Sequence, residues 1–163
     1  QALNMKIFSV KKNKKKIPSF IKKNYQLNNL IGAVKNKDFV VSLLPLTDET
    51  KNIFNKKIFN AMKKNSIFIN VGRGGTVNEK DLVNILRRKK ILGAGLDVVS
   101  KEPIESNSPF LNMKNVIVTP HIAGVTNKYW DDQISLFSEN LMRYKNNSKL
   151  KNLKTYTSIK EGY

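Results

Sequence analysis

The chain has 163 residues, 40% of them hydrophobic, with no cysteine and a single histidine, His121. Without cysteine there are no disulfides, thiolate nucleophiles or sulfur-ligated metals, and one histidine leaves no multi-histidine metal centre, so no metal site is expected. Thirty basic against 12 acidic residues give a formal net charge of +18; yet lysine and asparagine are spread through every polar stretch, as in "FNKKIFNAMKKNS", which predicts a lysine-rich surface rather than a specific nucleic-acid site.

In chain order, the first element is a strand at "MKIFSV" (5–10). The basic run "KKNKKK" (11–16) follows it directly. A helix is expected over 26–35, then a strand at "DFVVSLL" (38–44) that ends at Pro45. Thr47-Asp48-Glu49-Thr50 supplies capping groups ahead of a second helix at 55–63. The strand "SIFINV" (66–71) leads into "GRGG", which presents Arg73 on a glycine-rich turn. Asn78 caps a third helix at 79–89, with Asp81 completing a capping-box-like pattern. The strand "GAGLDVV" (93–99) carries Asp97 and is followed by Glu102 in "SKEP". The last strand, "NVIVT" (115–119), ends at "TPHIAG" and His121. A longer helix at 127–145 starts from Thr126 and Asn127 in the same capped manner.

Short apolar runs alternating with helical stretches signal a parallel sheet with crossover helices, its strands covered on both faces. The fold class is therefore α/β, a Rossmann-like doubly wound sheet. No stretch approaches the about 20 apolar residues of a membrane span and no signal-peptide pattern opens the chain, which reads as soluble and cytoplasmic. No G-x-G-x-x-G turn precedes the first strand, so the chain is expected to be truncated at its N-terminus, lacking the first strand and phosphate-binding turn.

Ligands of open parallel sheets bind beyond the carboxyl ends of the strands. Arg73, Asp97, Glu102 and His121 all fall there, on one rim. A histidine beside a carboxylate can give or take a proton near neutral pH. A guanidinium can hold a substrate carboxylate through two parallel bonds and polarise an adjacent carbonyl. With a hydride donor nearby, these parts reduce a 2-keto acid. The plainer alternatives are that Arg73 caps a turn, that Glu102 is an ordinary loop residue, and that His121 is a surface residue.

"SLLPLTDET", "INVGRGGTVNEKDL", "LGAGLDVVSKEP" and "NVIVTPHIAGVT" together resemble the D-isomer-specific 2-hydroxyacid dehydrogenase family, over residues 1 to 145 in unbroken order. The likeness is greatest to its glyoxylate/hydroxypyruvate reductases, with weaker support from "FSVKKNKKKIPSF" and the terminal "EGY". The resemblance implies an NAD(P)-dependent oxidoreductase acting on a short 2-keto acid. It makes Arg73 the carboxylate binder, His121 the acid/base and Glu102 its partner. Asp97 would orient the nicotinamide carboxamide, and Leu44, Pro45, Val71, Gly72 and Gly124 would line the cofactor beside Arg73 and His121.

Where NAD-dependent members carry an acidic residue for the ribose hydroxyls, this chain has Lys11. A lysine there would attract a 2′-phosphate, which tilts the expectation to NADP over NAD; the alternative is a solvated basic loop. Residues 1–125 would form a partial dinucleotide-binding domain, and 126–163 a crossover helix and tail returning to a substrate domain. The resemblance implies a homodimer and no membrane partner. A truncated chain is expected to be inactive by itself. The main competing function is a non-catalytic nucleotide-sensing or corepressor-like scaffold of the same fold; a lysine-driven nucleic-acid binder is the third.

Overall fold

A computed structural model describes residues 3–11 and 17–146. Its elements are β1 (Ile7–Val10), β2 (Ile21–Tyr25), α1 (Leu30–Val34), β3 (Phe39–Ser42), α2 (Lys56–Ala61), β4 (Ile67–Asn70), α3 (Glu79–Arg87), β5 (Gly93–Leu96), β6 (Val116–Val118) and α4 (Tyr129–Lys145). Strands β3, β4, β5 and β6 lie side by side in that order, every pair parallel. Parallel neighbours need a long return path, and α2 and α3 supply it between β3, β4 and β5.

β1 does not join that sheet. It pairs in parallel with β2 in a separate two-stranded sheet, with an irregularity between Ile7 and Phe8. Nothing in the sequence marks a strand at 21–25, because "IKKNY" is apolar only at its ends and carries neither alternation nor an apolar run. Side chains tie the small sheet to the rest: Val10 and Tyr25 pack against the main core, and the Lys37 ammonium lies 4.1 Å from the Phe8 ring centre. Lys11 is exposed just past β1, its N–H donating to Tyr25 O at 3.3 Å. The rest of the basic run, 12–16, and the tail from 147 lie outside the described residues.

Alternation along the strands decides which face is covered. Val40 and Ser42, Phe68 and Asn70, Ala94 and Leu96 are buried on one face, and the apolar four share a core with α1, α2 and α3. Phe68 sits at the centre, its ring 5.0 Å from Phe54 and 5.2 Å from Phe59, the latter edge-on. α3 presents Leu82, Val83, Ile85 and Leu86 to this core. The opposite face departs from the expectation of double cover: Phe39, Val41 and Ile117 stand exposed there. α4 buries none of its residues, and its apolar stripe of Trp130, Ile134, Phe137 and Leu141 is exposed as well. No helix of the described residues is long and apolar enough to cross a membrane.

The helix caps also differ from expectation. α2 is capped by Asn55, whose side chain accepts from the N–H groups of Lys57 and Ile58. Thr50 instead builds its own turn, donating to Pro45 O at 2.6 Å and accepting from Thr47 N. Asn78 does cap α3, accepting from Asp81 N, but Asp81 does not reciprocate. Its carboxylate crosses to α2 and accepts from Lys56 N at 2.8 Å. A carboxylate at the positive end of two helices complements both dipoles. α4 has no side-chain cap; Tyr129 N donates to the Thr126 backbone instead.

Candidate active site

β4, β5 and β6 are adjacent and parallel, so their carboxyl ends open on one side of the sheet. Arg73 follows β4, Asp97 and Glu102 follow β5, and His121 follows β6. β5 ends at Leu96 rather than 99, which places Asp97 as the first residue beyond the strand.

Two glycines wedge Arg73 between its neighbours. A Cβ on Gly72 would stand 2.6 Å from the Leu44 carbonyl oxygen, at the exit of β3. A Cβ on Gly74 would stand 1.9 Å from the Val99 carbonyl carbon and 2.5 Å from Ser100 N, in the loop after β5. Only glycine permits both contacts, and together they fix the turn across the rim. Buried side chains hold it from below. Asn70 accepts from Gly72 N and donates to Arg73 O, each at 3.2 Å, and Thr76 Oγ1 donates to Arg73 O at 2.7 Å. Asn70 and Thr76 are fully buried. Arg73 itself is exposed, its guanidinium donating to Gly72 O at 2.8 Å.

Asp97 organises the turn after β6. Its Oδ1 accepts from the Thr119 hydroxyl at 2.5 Å and from Ile122 N at 3.0 Å, and its Oδ2 accepts from Ala123 N at 2.9 Å. His121 N adds a bond to the Asp97 carbonyl at 2.9 Å. Burial pushes the Asp97 carboxyl up, but the Thr119 hydroxyl, the Ala123 and Ile122 amides and the charge on His121 outweigh it. The group is held below the usual carboxylate range.

Within that turn His121 adopts φ of 55°. Side chains other than glycine seldom take this left-handed conformation, and residues held there concentrate at functional sites. The turn aims the ring at Glu102, with Nδ1 2.7 Å from Oε2. A carboxylate only accepts, so the proton of this bond sits on Nδ1 and Nε2 is left for a reacting partner. The other Glu102 oxygen accepts from Val99 N at 3.2 Å. The pair is about half exposed (47% and 38%), so it contributes at most about 1 kcal/mol of stability and serves mainly to orient the ring.

The structure thus brings His121 and Glu102 into direct contact and places Arg73 and Asp97 on the same rim. Leu44, Pro45 and Val71 are half-buried along it, and a Cβ added at Gly124 would meet nothing within 4 Å. These residues fit the nicotinamide end of a dinucleotide. Leu44 and Pro45 offer an apolar edge, Gly124 leaves open space, and Asp97 Oδ2 keeps a lone pair beyond its Ala123 bond. The site is an open rim. Two clefts of about 310 and 390 Å³ lie elsewhere, one at α1 and the start of α2, the other beside Phe59 and Arg88.

Asn70, Thr76, Thr119 and Glu79 carry no role that the sequence alone displays. A polar residue closing the apolar run "SIFIN", and a threonine three places past Arg73, were the available signals for the first two.

Residues 1–123 match the family described as D-isomer specific 2-hydroxyacid dehydrogenase, NAD binding domain. The chain is 41% identical over 119 residues to glyoxylate/hydroxypyruvate reductase B of Enterobacter sp., covering 73% of this chain and 37% of that protein. It is 44% identical over 105 residues to the Escherichia coli O6:H1 protein of the same name, covering 64% and 32%. The chain therefore spans about a third of these relatives' length. Among solved structures, the NADPH-dependent glyoxylate/hydroxypyruvate reductase of Sinorhizobium meliloti, in complex with NADP and sulfate, superposes with a TM-score of 0.87 at 29% identity, covering 99% of this chain and 51% of that one. A D-isomer specific 2-hydroxyacid dehydrogenase of Xanthobacter autotrophicus, in complex with NADPH and MES, gives 0.82 at 30% identity, covering 94% and 61%.

Proposed function

We propose, from the premise that this chain belongs to the D-isomer specific 2-hydroxyacid dehydrogenase family, that it forms most of the dinucleotide-binding domain of an NADPH-dependent reductase. The substrate is a short 2-keto acid of the glyoxylate or hydroxypyruvate class, and the product its D-2-hydroxy acid. The observation that carries this reading is the His121–Glu102 contact on the same sheet rim as Arg73.

Bound on this rim, the reduced nicotinamide supplies the hydride. Arg73 holds the substrate carboxylate with its planar fork and polarises the carbonyl oxygen beside it. His121 gives that oxygen a proton from Nε2 while Glu102 holds Nδ1 and stabilises the ring in its charged form. Asp97 fixes the His121 turn and has an acceptor to spare for the carboxamide. Leu44, Pro45, Val71, Gly72 and Gly124 shape the cofactor face. Lys11 favours the 2′-phosphate of NADP over the bare ribose of NAD. α4 returns the chain to a second, substrate-binding domain, against which its exposed apolar stripe would pack; the intact protein pairs as a homodimer. The names of the relatives and an undecayed Arg73–Glu102–His121 set favour this reading over a non-catalytic nucleotide-sensing scaffold.

The test is NADPH oxidation by the intact protein with glyoxylate and hydroxypyruvate. His121→Ala lowers kcat by about two to four orders of magnitude, the scale of general acid–base catalysis. Arg73→Lys also loses activity, because an ammonium cannot reproduce the fork. Turnover near wild type in either variant removes that residue from its role, and no turnover of either substrate by the wild type overturns the reading.

A further inference from the structure

Glu79 opens α3, yet it plays no part in capping that helix; Asn78 does so through Asp81 N. The Glu79 carboxylate instead crosses 21 residues of sequence and accepts from Ser100 N at 2.6 Å. The preceding amide, Val99 N, donates to Glu102 Oε1 at 3.2 Å. Two successive N–H groups of the loop after β5 thus end on two different carboxylates, and Glu102 extends its other oxygen to His121 at 2.7 Å. The peptide between Val99 and Ser100 also rests on Gly74, where even a methyl group would overlap it.

The seven residues from Arg73 to Glu79 therefore do two jobs. They expose the guanidinium at one end, press Gly74 against the Val99–Ser100 peptide, and clamp that peptide with a carboxylate at the other end. We infer that Glu79 is a positioning residue of the active site: by holding Ser100 it fixes the backbone from which Glu102 addresses His121, and ties that backbone to the Arg73 turn. Glu79 touches neither the imidazole nor the guanidinium and acts only through this loop. A charge-assisted bond from a carboxylate to an amide is short and about twice as strong as a neutral one, which suits it to holding an otherwise exposed loop in register. Without it, Ser100 N turns to water and the loop relies on the longer Val99 bond.

This inference rests on the acid–base roles proposed above for Glu102 and His121, and its test separates the two. His121 is the only histidine in the sequence, so its ring signals in the NMR spectrum of the intact protein need no assignment, and the Nδ1–H signal of its bond to Glu102 can be followed whether or not the protein turns over. Four variants are compared with wild type: Glu79→Ala, Glu79→Gln, Glu102→Gln and the double variant Glu79→Ala/Glu102→Gln. Glu102→Gln shifts the His121 Nδ1–H signal away from its carboxylate-bonded position; Glu79→Ala shifts it the same way by a smaller amount, and Glu79→Gln, which keeps an acceptor for Ser100 N, restores it. In turnover, Glu79→Ala loses about ten- to a hundredfold in kcat, the scale of a displaced catalytic group, while the KM for NADPH holds and Glu79→Gln recovers most of the loss. The double variant is no slower than Glu102→Gln alone. A wild-type Nδ1–H signal and kcat in Glu79→Ala overturn the inference, as does a loss of thermal stability with no change in either. Independent effects that multiply in the double variant overturn it too. If the wild type reduces no 2-keto acid the reductase reading fails, and the Nδ1–H signal still decides whether Glu79 positions Glu102.

Discussion

Asp97→Asn isolates what one buried carboxylate does for the His121 turn. The amide has the same shape, so its oxygen can keep the bonds to Thr119 Oγ1 and Ile122 N. Its nitrogen then faces Ala123 N across the present 2.9 Å, donor against donor. Losing one hydrogen bond to a charged group costs about 1.5–3 kcal/mol, and the two remaining bonds weaken as their acceptor loses its charge. Because Ile122 and Ala123 lie at the surface, where water replaces part of the loss, the expected net is about 2 kcal/mol. With a urea slope of about 2 kcal/mol/M, the unfolding midpoint falls by about 1 M at neutral pH. The pH dependence gives an independent check. Asp97 is held below its ordinary value in the folded state, so its contribution is complete above the unfolded value of about 3.9 and is lost as pH falls through the lower, folded one. Wild type therefore loses stability over that acid interval, the Asn variant does not lose this component, and the gap between them closes. Equal midpoints at neutral pH, or a gap that stays constant through the acid range, would refute the reasoning.

Gly74→Ala puts a methyl group 1.9 Å from the Val99 carbonyl carbon; the loop has to move, with an expected cost of about 1–3 kcal/mol in urea unfolding and a fall in kcat of up to about a hundredfold in the reductase assay. Phe68→Ala empties the centre of the aromatic cluster, where the ring is fully buried, and should destabilise by about 3–5 kcal/mol without altering the KM for NADPH of the protein that remains folded. Lys11→Asp should raise the KM for NADPH relative to that for NADH, through repulsion of the 2′-phosphate; an unchanged preference in the two-cofactor assay would return Lys11 to the solvated surface.

The parallel α/β plan was legible because it rests on local physics. The apolar runs at 38–44 and 66–71 and the capped helical stretch at 79–89 admit few other structures, and the strand-end rule then places Arg73, Asp97, Glu102 and His121 on one rim. β2 was illegible for the same reason: "IKKNY" has no periodicity, and it becomes a strand only because β1 offers it a partner. Asp81 shows the limit most clearly. Its spacing from Asn78 reads as a capping box, but α2 lies close enough to take the carboxylate, and sequence spacing carries no information about a helix 25 residues away. Composition and motif order by themselves determined the class of fold and the types of side chain at the strand ends. Only the folded chain decided how those side chains are held: that Asp97 builds the left-handed turn under His121, that Gly72 and Gly74 wedge Arg73 between two neighbouring loops, and that Glu79 reaches Ser100. Each of these contacts joins residues about 20 or more apart in the chain, and their distance is set by how the elements pack.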